Sequence, residues 1–323
     1  MATGTGERRP EMGIVIDCVA IGEELMKEIL EETEALKAKG IVPGIATLLV
    51  GDDYGAKMYR GQVEKFCQEA GWNYFNENPP ADITEAEVIE IVKKLNANPE
   101  VSGILPLRPF PEHISDSAVI NSIDVNKDID CFHPFNMGKL ALGEPTFPPA
   151  TPSAVIEILD RYARQYENVE PKDFYEGAEV VVVGHSNIVG KPVAFLMLNR
   201  NATTTVCHVF TSMKGNLEKH TKGADVLVVA AGKPDLIGPD QVKEGAIVVD
   251  VGINRVKVLD ENGNPVLNEK GKPMTKTVGD VSFDKVKDMV KAITPVPGGV
   301  GAVTNRMLMK NALRACKIQH GLE

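Results

Sequence analysis

Apolar runs alternate with helix-like segments along most of this 323-residue chain. Near the start, the continuous apolar run at 45–50 stands between segments at 20–39 and 56–69 whose apolar residues recur at helical spacing. Strands separated by helices in this way are typical of a parallel sheet that is covered on both faces. The other elements predicted in this part are strands at 72–75 and 101–107 and a helix at 84–96. The pattern therefore predicts an α/β fold.

The alternation begins again after residue 150. A helix is predicted from Pro152, with Thr151 as its N-cap. The elements predicted after it are strands at 179–183, 203–209, 225–230 and 246–251, a helix at 189–198, a hairpin with an Asn-Gly turn at 256–277, and a final helix at 304–318. We expect two domains with a cleft between them. One consists of 12–150 and 296–323, onto which the last helix returns, and the other, 151–295, is a Rossmann-like domain with a doubly wound parallel sheet.

Composition limits the classes of partner. The net charge of −10 and the pI of about 5.3 argue against a nucleic-acid or anionic-lipid partner. No 18-residue apolar stretch predicts a membrane span, and the polar segment 1–11 lacks the apolar core of a secretory signal, so we expect a frayed tail there. The five cysteines have no metal-binding spacing, so we expect buried or free thiols, no metal, and a cytoplasmic location.

The segment 184–192, Gly-His-Ser-Asn-Ile-Val-Gly-Lys-Pro, follows an apolar strand and opens a helix. Backbone N–H groups at the start of that helix can bind a pyrophosphate. The spacing differs from the G-x-G-x-x-G fingerprint, and a strand–turn–helix without a ligand has a similar sequence. The turn therefore indicates a dinucleotide site, while an ordinary connection remains the alternative.

The end of the next strand, at His208, is where an adenine ribose would lie. No Asp or Glu stands there to accept a bond from the ribose 2′-hydroxyl, and no Arg or Lys stands there to bind a 2′-phosphate. Charge-assisted bonds to a phosphate contribute about 1.5–3 kcal/mol each, and Val209 and Phe210 supply none. Histidine is mostly neutral near pH 7, although a protonated His185 could tolerate the phosphate. We therefore expect NAD, with NADP as the alternative.

A loop at 295–301 reads Pro-Val-Pro-Gly-Gly-Val-Gly. Its prolines fix φ and remove N–H donors, while its glycines let the backbone approach a ligand closely. This composition argues against a helix or a strand and suits a flat ligand bound beside a helix that starts at Thr304. An ordinary connection is again the alternative.

Six ordered motifs extend this pattern across nearly the whole chain. They lie at 50–53 with Tyr59, at 127–134, at 151–152, at 183–192, at 250–255, and at 278–281 with the loop at 295–301. Together they resemble the methylenetetrahydrofolate dehydrogenase/methenyltetrahydrofolate cyclohydrolase family, from about Ile14 to Leu313. The resemblance implies a folate-binding domain built from both chain ends, a Rossmann-like cofactor domain between them, and a homodimer through the cofactor domain.

The resemblance also implies a set of site residues. Tyr59 would stack on the ring system of the folate, and Asp130 would hydrogen-bond the pterin. Taken singly, a helical Tyr is more often part of a core or its rim, and an Asp in such a turn is more often a cap or a surface charge. The implied residues are Tyr59, Asp130, Pro297, Gly298 and Gly299 for the substrate, and Gly184, His185, Ser186, Ile188, Val209, Ile253 and Thr304 for the cofactor.

Several positions depart from the family pattern. Bifunctional members carry a lysine four residues after the tyrosine, on the same helix face, where this chain has Val63. Lys65 lies roughly 240° around the helix from Tyr59, so it points elsewhere. The glutamine that supports the lysine corresponds to Leu107. The other departures are Cys131 for a glycine, His185 for an arginine, and Val209 and Phe210 for polar residues.

These departures favour one of the family's two reactions. Hydrolysis of a methenyl bridge needs a poised general acid or base, whereas hydride transfer needs only the two carbons held together and water excluded. We therefore expect an NAD-dependent dehydrogenase that oxidises 5,10-methylene-tetrahydrofolate, with weak or absent cyclohydrolase activity, as in dehydrogenase-only relatives. The alternatives are a bifunctional NADP-dependent enzyme in which Lys57 or a water chain replaces the lysine, a non-catalytic folate-binding protein, and an enzyme for another reduced pterin.

Overall fold

The computed structural model describes residues 13–261 and 263–323, so the tail predicted at 1–11 lies outside the described residues. The chain forms two compact units. The three-stranded unit consists of Ala20–Ala154 and Val303–Glu323, and the six-stranded unit consists of Val155–Ala302 and the described residues up to Val19. The domain limits at 150 and 296 stay a prediction about function, because these units are defined by contacts alone.

The first half of the chain contains every strand and helix predicted before residue 108. Its elements are β1 (Ile14–Val15), α1 (Cys18–Lys37), β2 (Gly44–Leu49), α2 (Tyr54–Ala70), β3 (Asn73–Glu77), α3 (Glu85–Ala97), β4 (Gly103–Leu107), α4 (Asp116–Asn121), α5 (Pro134–Ala141) and α6 (Ala150–Tyr162). The sequence pattern does not predict α4 and α5, because helices of six and eight residues are too short to show a periodicity.

The three-stranded sheet is parallel, with strand order β3-β2-β4. All six residues of the central strand β2 are buried, as expected of a strand covered on both faces. Local signals fix the ends of its helices. Asp53 caps α2 by accepting the N–H of Ala56, Gly71 ends α2 with φ of 65°, and Thr84 and Glu87 form a capping box at α3.

The predicted start of α6 is wrong. The helix begins at Ala150, so Thr151 lies inside its first turn and is not the N-cap. The carboxylate of Asp130 accepts the N–H of Ala150 at 2.8 Å. An acceptor twenty residues away in sequence thus satisfies a free N–H group at the helix start, which local capping rules do not detect.

The second half of the chain again alternates strands and helices. Its elements are a π-helical turn (Ala163–Glu167), α7 (Pro171–Tyr175), β5 (Glu179–Val183), α8 (Gly190–Leu198), β6 (Thr203–Cys207), α9 (Val209–Met213), α10 (Leu217–Thr221), β7 (Val226–Val229), a 3₁₀ turn (Pro239–Gln241), β8 (Ile247–Asp250), β9 (Asn254–Lys257), β10 (Thr275–Val278), α11 (Phe283–Val286), β11 (Ala292–Ile293) and α12 (Val300–Gln319).

The six-stranded sheet has the order β1-β11-β8-β7-β5-β6, and each neighbouring pair is parallel. This confirms the doubly wound parallel sheet predicted from the sequence. One boundary is wrong, because β6 ends at Cys207 and Val209 begins α9. The chain turns at His208, whose backbone N–H donates to the hydroxyl of Thr211 while its carbonyl accepts the N–H of Thr211.

The predicted hairpin is confirmed at its base. Strands β9 and β10 are antiparallel, with Asn254 opposite Val278 and Lys257 opposite Thr275. The predicted Asn-Gly turn contains Asn262, which lies outside the described residues.

The last helix, α12, begins at Val300, four residues before the predicted start at Thr304. Val300 and Val303 are buried, so packing decides a boundary that the surrounding glycines argued against. Farther along, Leu308 and Leu313 belong to the same apolar cluster as Ile45 of β2. This confirms that the last helix packs on the first part of the chain.

The five cysteines are all buried and form no disulfide, as expected. No helix within 13–261 or 263–323 is both long enough and apolar enough to cross a membrane. In the same residues, no group of three or more His, Cys, Asp and Glu side chains could hold a metal ion.

Candidate active site

A cavity of about 340 Å³ lies in the six-stranded unit where parallel strands end. Ligands of open α/β sheets bind at the carboxyl ends of the strands. The lining residues follow β5, β6 and β7: Val183, Gly184, His185, Ser186, His208, Val209, Ser212, Ala230, Ala231, Lys233 and Leu236. We call this cavity the nucleotide pocket.

Two glycines make the turn at the rim of this pocket. Gly184 has φ of 129°, and a Cβ added there would collide with the carbonyl oxygen of Ala230. A Cβ at Gly190 would collide with the carbonyl oxygen of Gly184. Only glycine allows β5, the turn and the start of α8 to approach this closely. The turn therefore brings bare backbone to the edge of the pocket.

Ser186 organises the start of α8. Its hydroxyl accepts the N–H groups of Val189 and Gly190 at 3.1 and 3.4 Å. The positive end of the dipole of this nine-residue helix therefore lies beside the exposed His185 and Ser186. Because Ser186 already accepts these two N–H groups, what this end of α8 offers a pyrophosphate is the positive end of the helix dipole beside exposed turn backbone.

A pair of buried carboxylates holds the opposite wall. Asp280 accepts the N–H groups of Ala231, Gly232 and Lys233 at 2.7–2.9 Å and the side-chain amide of Asn254 at 2.8 Å. The turn at 231–233, two residues of which line the pocket, is therefore fixed by one side chain.

The second carboxylate of the pair, Asp250, accepts the N–H groups of Gly252, Asp280 and Val281 at 2.9–3.0 Å. Burial raises the pKa of Asp250 to about 6, against these hydrogen bonds. A Cβ at Gly252 would collide with Asp280, and one at Gly279 would collide with Asp250. The motifs at 250–255 and 278–281 thus form one carboxylate frame that supports the nucleotide pocket.

Two histidines line the nucleotide pocket where the adenine ribose is expected. The rings of His185 and His208 stand 4.9 Å apart with an interplanar angle of 36°. Nδ1 of His208 is buried and has no hydrogen-bond partner among the described residues. Lys233 adds a cation from the turn after β7. Because Lys233 follows β7, the residues at the end of β6 do not reveal it in the sequence.

The predicted cofactor residues do not all reach the pocket. Gly184, His185, Ser186 and Val209 line it. Ile188 and Ile253 are 48% and 71% exposed and are not among the lining residues. Thr304 lies on α12, within the part of that helix that belongs to the three-stranded unit. The roles of these last three stay predictions.

The loop at 295–299 has the predicted bare backbone. Pro297 and Gly298 are exposed, and Gly298 has φ of 88°. A Cβ at Gly299 would collide with the carbonyl oxygen of Pro295. The glycines are therefore required by the shape of the loop, and its part in substrate binding stays a prediction.

Tyr59 and Asp130 are near each other within the three-stranded unit. Asp130 is half-buried, and burial with the nearby Asp128 charge raises its pKa to about 7, although the Ala150 N–H and Arg108 oppose this. Burial and the charge of Asp130 raise the pKa of Tyr59 well above its usual value. A neutral phenol therefore stands near a carboxyl group that titrates near pH 7.

The residues around Asp130 position it. Asp128 is fully buried and accepts the N–H groups of Phe132 and His133 and the side-chain amide of Asn136. Cys131 is buried with φ of 57°, a left-handed conformation that glycine adopts more readily. Burial raises the pKa of the Cys131 thiol, which favours the thiol over the more nucleophilic thiolate.

A guanidinium outside the sequence motifs, that of Arg108, also acts on Asp130. Arg108 lowers the pKa of Asp130, and its guanidinium carbon lies 4.2 Å from the centre of the Phe132 ring. Its Nε is 2.9 Å from a carboxylate oxygen of Asp116. Arg108 therefore adds positive charge to this region, and an arginine does not serve as a general acid or base at neutral pH.

The two positions that depart from the bifunctional pattern are apolar and buried. Val63 and Leu107 are each 3% exposed and belong to one apolar cluster. Lys65 is 76% exposed and pairs with Glu69 at 3.6 Å. Lys57, the proposed replacement for the lysine, forms an ion pair with Asp52.

The fold and the nucleotide pocket define an α/β protein that binds a dinucleotide at the ends of parallel strands. Residues 16–130 match the family model described as the tetrahydrofolate dehydrogenase/cyclohydrolase catalytic domain, and residues 149–320 match the NAD(P)-binding domain of the same family. The chain therefore belongs to the tetrahydrofolate dehydrogenase/cyclohydrolase family.

Individual relatives agree with this assignment. The chain is 44% identical over 303 residues to the bifunctional protein FolD of Bacillus velezensis, covering 94% of this chain and 97% of that protein. The crystal structure of the bifunctional FolD enzyme from Campylobacter jejuni superposes with a TM-score of 0.83 at 38% identity, covering 94% and 98% of the two chains. The Trypanosoma brucei FolD structure, complexed with NADP and an inhibitor, gives 0.82 at 35% identity, with coverage of 95% and 98%.

Proposed function

We propose that this protein oxidises 5,10-methylene-tetrahydrofolate to 5,10-methenyl-tetrahydrofolate with NAD⁺ and has weak or absent cyclohydrolase activity. The observation that carries the proposal is the burial of two apolar side chains, Val63 and Leu107, in the cluster beside Tyr59. Family membership supports the folate substrate.

In this reaction the residues on the substrate side orient the folate and exclude water. The ring of Tyr59 stacks on the planar ring system, and the carboxylate of Asp130 accepts N–H groups of the pterin. Pro297, Gly298 and Gly299 present bare backbone to the same ligand. None of these residues needs to gain or lose a proton, because a C–H bond of the methylene bridge breaks with its electron pair and leaves a cation delocalised over two nitrogens.

The residues of the nucleotide pocket hold the cofactor. The positive end of the α8 dipole and the exposed turn at His185 and Ser186 bind the pyrophosphate, Gly184 admits it closely, and Val209 contacts the adenosine. NAD⁺, when bound, supplies the nicotinamide ring that accepts the hydride. The carboxylate frame of Asp250 and Asp280 keeps the wall at 231–233 in place.

Hydrolysis requires a proton transfer, whereas hydride transfer does not. Water must be activated and a proton must move, so a poised general acid or base has to face the one-carbon bridge. The buried Val63 and Leu107 offer no such group, and Lys57 is occupied by Asp52. The oxidised product should therefore leave the enzyme before it is hydrolysed.

NAD is favoured by the side chains around the expected ribose site. The side chain of Val209 carries no polar atom, and His185 does not supply the permanent cation that an arginine would give to a 2′-phosphate. Lys233 is a cation in the lining that could bind such a phosphate. The comparison of NAD⁺ with NADP⁺ in initial-rate assays decides between them, and we expect NAD⁺ to give the higher kcat/KM.

A second candidate function is the bifunctional NADP-dependent enzyme. Relatives at 44% and 38% identity are named bifunctional FolD proteins, and the Asp130 pKa of about 7 would suit a general acid or base. This candidate predicts protein-dependent hydrolysis of added 5,10-methenyl-tetrahydrofolate, whereas our main proposal predicts a rate near that of buffer.

The double variant V63K/L107Q tests the same point in reverse. If the missing polar pair explains weak hydrolysis, the double variant should raise the hydrolysis rate at least about a hundred-fold, the low end for one general acid/base group. V63M/L107M is the matched control, because it changes size without adding polar groups. An equal rate for both variants would argue that the two positions do not limit hydrolysis.

The predicted homodimer through the six-stranded unit stays part of the proposal. Strand β6 is an edge of the described sheet, and Val206 on it and Met213 beyond it are exposed apolar residues. Light scattering coupled to size exclusion should give twice the chain mass of 35.0 kDa. A monomer at all concentrations would remove this part.

A further inference from the structure

A single buried amide connects α12 to the two chain segments that meet at Asp130. Asn311 lies on α12 and is 6% exposed. Its side-chain nitrogen donates to the backbone carbonyls of Ile129 and Pro148, at 2.8 Å in each case. Because both partners are acceptors only, the nitrogen of the amide has to face them, and this fixes the orientation of the side chain.

The two carbonyls flank the hydrogen bond that holds the Asp130 carboxylate. Ile129 directly precedes Asp130. Pro148 lies shortly before Ala150, whose N–H donates to the carboxylate at 2.8 Å. The loop that carries the acceptor of this bond and the segment that carries its donor are therefore both tied to Asn311.

The residues that follow Asp130 are held separately. The carboxylate of Asp128 accepts the N–H groups of Phe132 and His133, each at 2.9 Å. These bonds do not involve Asn311, so they should remain when Asn311 is replaced. A substitution at Asn311 should therefore loosen the segment before Asp130 and the start of α6, and with them the bond between the carboxylate and the N–H of Ala150.

The charged and titratable groups around Asp130 do not hydrogen-bond to Asn311. These groups are Asp128, Arg108, Tyr59 and Cys131. Burial raises the pKa of Asp130, and the N–H of Ala150 opposes this because its hydrogen bond favours the ionised carboxylate. An uncharged replacement at Asn311 leaves the surrounding charges unchanged, so it acts on the carboxylate through the bond to Ala150.

We propose that Asn311 is a positioning residue for the substrate, which keeps the Asp130 carboxylate ionised and placed to accept the N–H groups of the pterin. This inference rests on the proposed function, in which Asp130 binds the pterin. Asn311 acts through the backbone of Ile129 and Pro148 and needs no contact with the folate.

Two measurements on the full chain test this inference. Carbon-13 NMR of protein labelled at its aspartate carboxyl carbons follows the titration of Asp130, whose signal is identified by its loss in D130N. Titration calorimetry at pH 7 and pH 9 measures the affinity for tetrahydrofolate. The main variant is N311L, which removes both donors. Unfolding curves show whether it is folded, and N311S, whose one hydroxyl cannot replace two donors, takes its place if it is not.

Q319M is the matched control for these variants. Gln319 is another amide of α12, and it donates to the backbone carbonyls of Val101 and Ser102 at 3.4 and 3.1 Å. Q319M therefore removes the same kind of bonds from the same helix, but at carbonyls that do not flank Asp130. It should titrate and bind tetrahydrofolate as the wild type does.

We expect the midpoint of the Asp130 titration to rise by about one pH unit in N311L, following the value of a hydrogen bond to a charged group. The affinity for tetrahydrofolate should fall about five-fold at pH 7. At pH 9 it should fall less than about two-fold, because the carboxylate is ionised in both proteins. A role in stability alone would not move the titration or make the loss of affinity depend on pH.

An unchanged Asp130 titration in a folded variant of Asn311 would overturn the inference and leave the dehydrogenase proposal standing. An equal shift in Q319M, or an unchanged affinity for tetrahydrofolate in N311L at pH 7, would overturn it in the same way. A wild type that does not bind tetrahydrofolate at either pH would overturn both the inference and the proposed function.

Discussion

The nucleotide pocket and the surroundings of Tyr59 use polar groups in opposite ways. Around the pocket, Asp250 and Asp280 are buried carboxylates whose hydrogen bonds hold a turn in place. Beside Tyr59, the positions where bifunctional relatives would carry a polar pair are the buried Val63 and Leu107. The comparison separates two tasks: hydrogen-bonded carboxylates shape the wall of the nucleotide pocket, whereas apolar side chains fill the two positions beside Tyr59 on which our proposal of weak hydrolysis depends.

The glycine turn gives the strongest test of the first half of this comparison. We expect Gly184→Ala to lower the free energy of unfolding by about 2–4 kcal/mol, because the new Cβ meets the Ala230 carbonyl at an unfavourable φ. NADH production should fall below detection. Urea unfolding and initial rates measure the two effects.

Gly177→Ala is the matched control for the glycine variant. Gly177 has φ of 75°, and nothing lies within 4 Å of its added Cβ. Only the backbone strain of about 1–2 kcal/mol should appear, with NADH production retained. If the two variants lowered the free energy of unfolding and NADH production equally, the close approach of backbone at Gly184 would not be the reason that the turn needs glycine.

The carboxylate frame should be the next most sensitive feature. One carboxylate oxygen of Asp280 accepts the N–H groups of Ala231 and Gly232, and the other accepts the N–H group of Lys233. In Asp280→Asn an NH₂ group replaces one of these oxygens, so a donor faces backbone N–H groups that need an acceptor. We expect the affinity for NAD⁺ to fall about ten- to a hundred-fold, following the value of a hydrogen bond to a charged group. Fluorescence titration with NADH measures the change. Asp284→Asn, at an exposed aspartate of α11, should bind as the wild type does, and an unchanged affinity in Asp280→Asn would remove the frame from the account.

Cofactor preference should respond more moderately. We expect the double variant H185R/V209S to raise the NADP⁺/NAD⁺ ratio of kcat/KM about ten-fold, because it adds a permanent cation and a hydroxyl where a 2′-phosphate would lie. H185Q is the control, since it changes the same position without adding charge. A wild type that already prefers NADP⁺ would instead point to Lys233 and favour the bifunctional candidate.

The smallest effect concerns the pH dependence of stability. The pKa of Asp130 is raised to about 7, so the folded state favours its protonated form. Its contribution to stability is therefore present below about pH 4 and is lost as the pH rises through about 7. In Asp130→Asn this loss cannot occur, so the stability of the variant relative to the wild type should increase between pH 5 and pH 8.

Urea unfolding at both pH values measures this difference. Glu90→Gln is the control, because Lys93 holds the pKa of Glu90 below its ordinary value and the residue stays ionised over this range. Its difference from the wild type should be the same at pH 5 and pH 8. A constant difference for Asp130→Asn would contradict the raised pKa.

Local sequence signals predicted most of the fold. The apolar run of β2, the capping box at Thr84 and the strand before Gly184 each depend on neighbouring residues, so they can be recognised without a structure. The early start of α12 could not be predicted in this way, since the burial of Val300 and Val303 decides it. The start of α6 depends on Asp130, which is distant in sequence.

The same distinction between local and long-range signals applies to the candidate site. The glycine turn and the departure at Val63 are visible in the sequence, because each belongs to a continuous motif. The link from Asp280 to the turn at 231–233 spans more than forty residues and appears only when the chain is folded. Arg108 and Lys233 were missed for the same reason, since nothing in their local sequence shows which cavity or carboxylate they face.

Product analysis tests the central claim most directly. Purified protein is mixed with 5,10-methylene-tetrahydrofolate and NAD⁺, and NADH, methenyl-tetrahydrofolate and 10-formyl-tetrahydrofolate are measured over time. The account predicts one methenyl-tetrahydrofolate for each NADH, followed by decay at the rate seen in buffer alone. Conversion to 10-formyl-tetrahydrofolate that accelerates in proportion to protein concentration would contradict it.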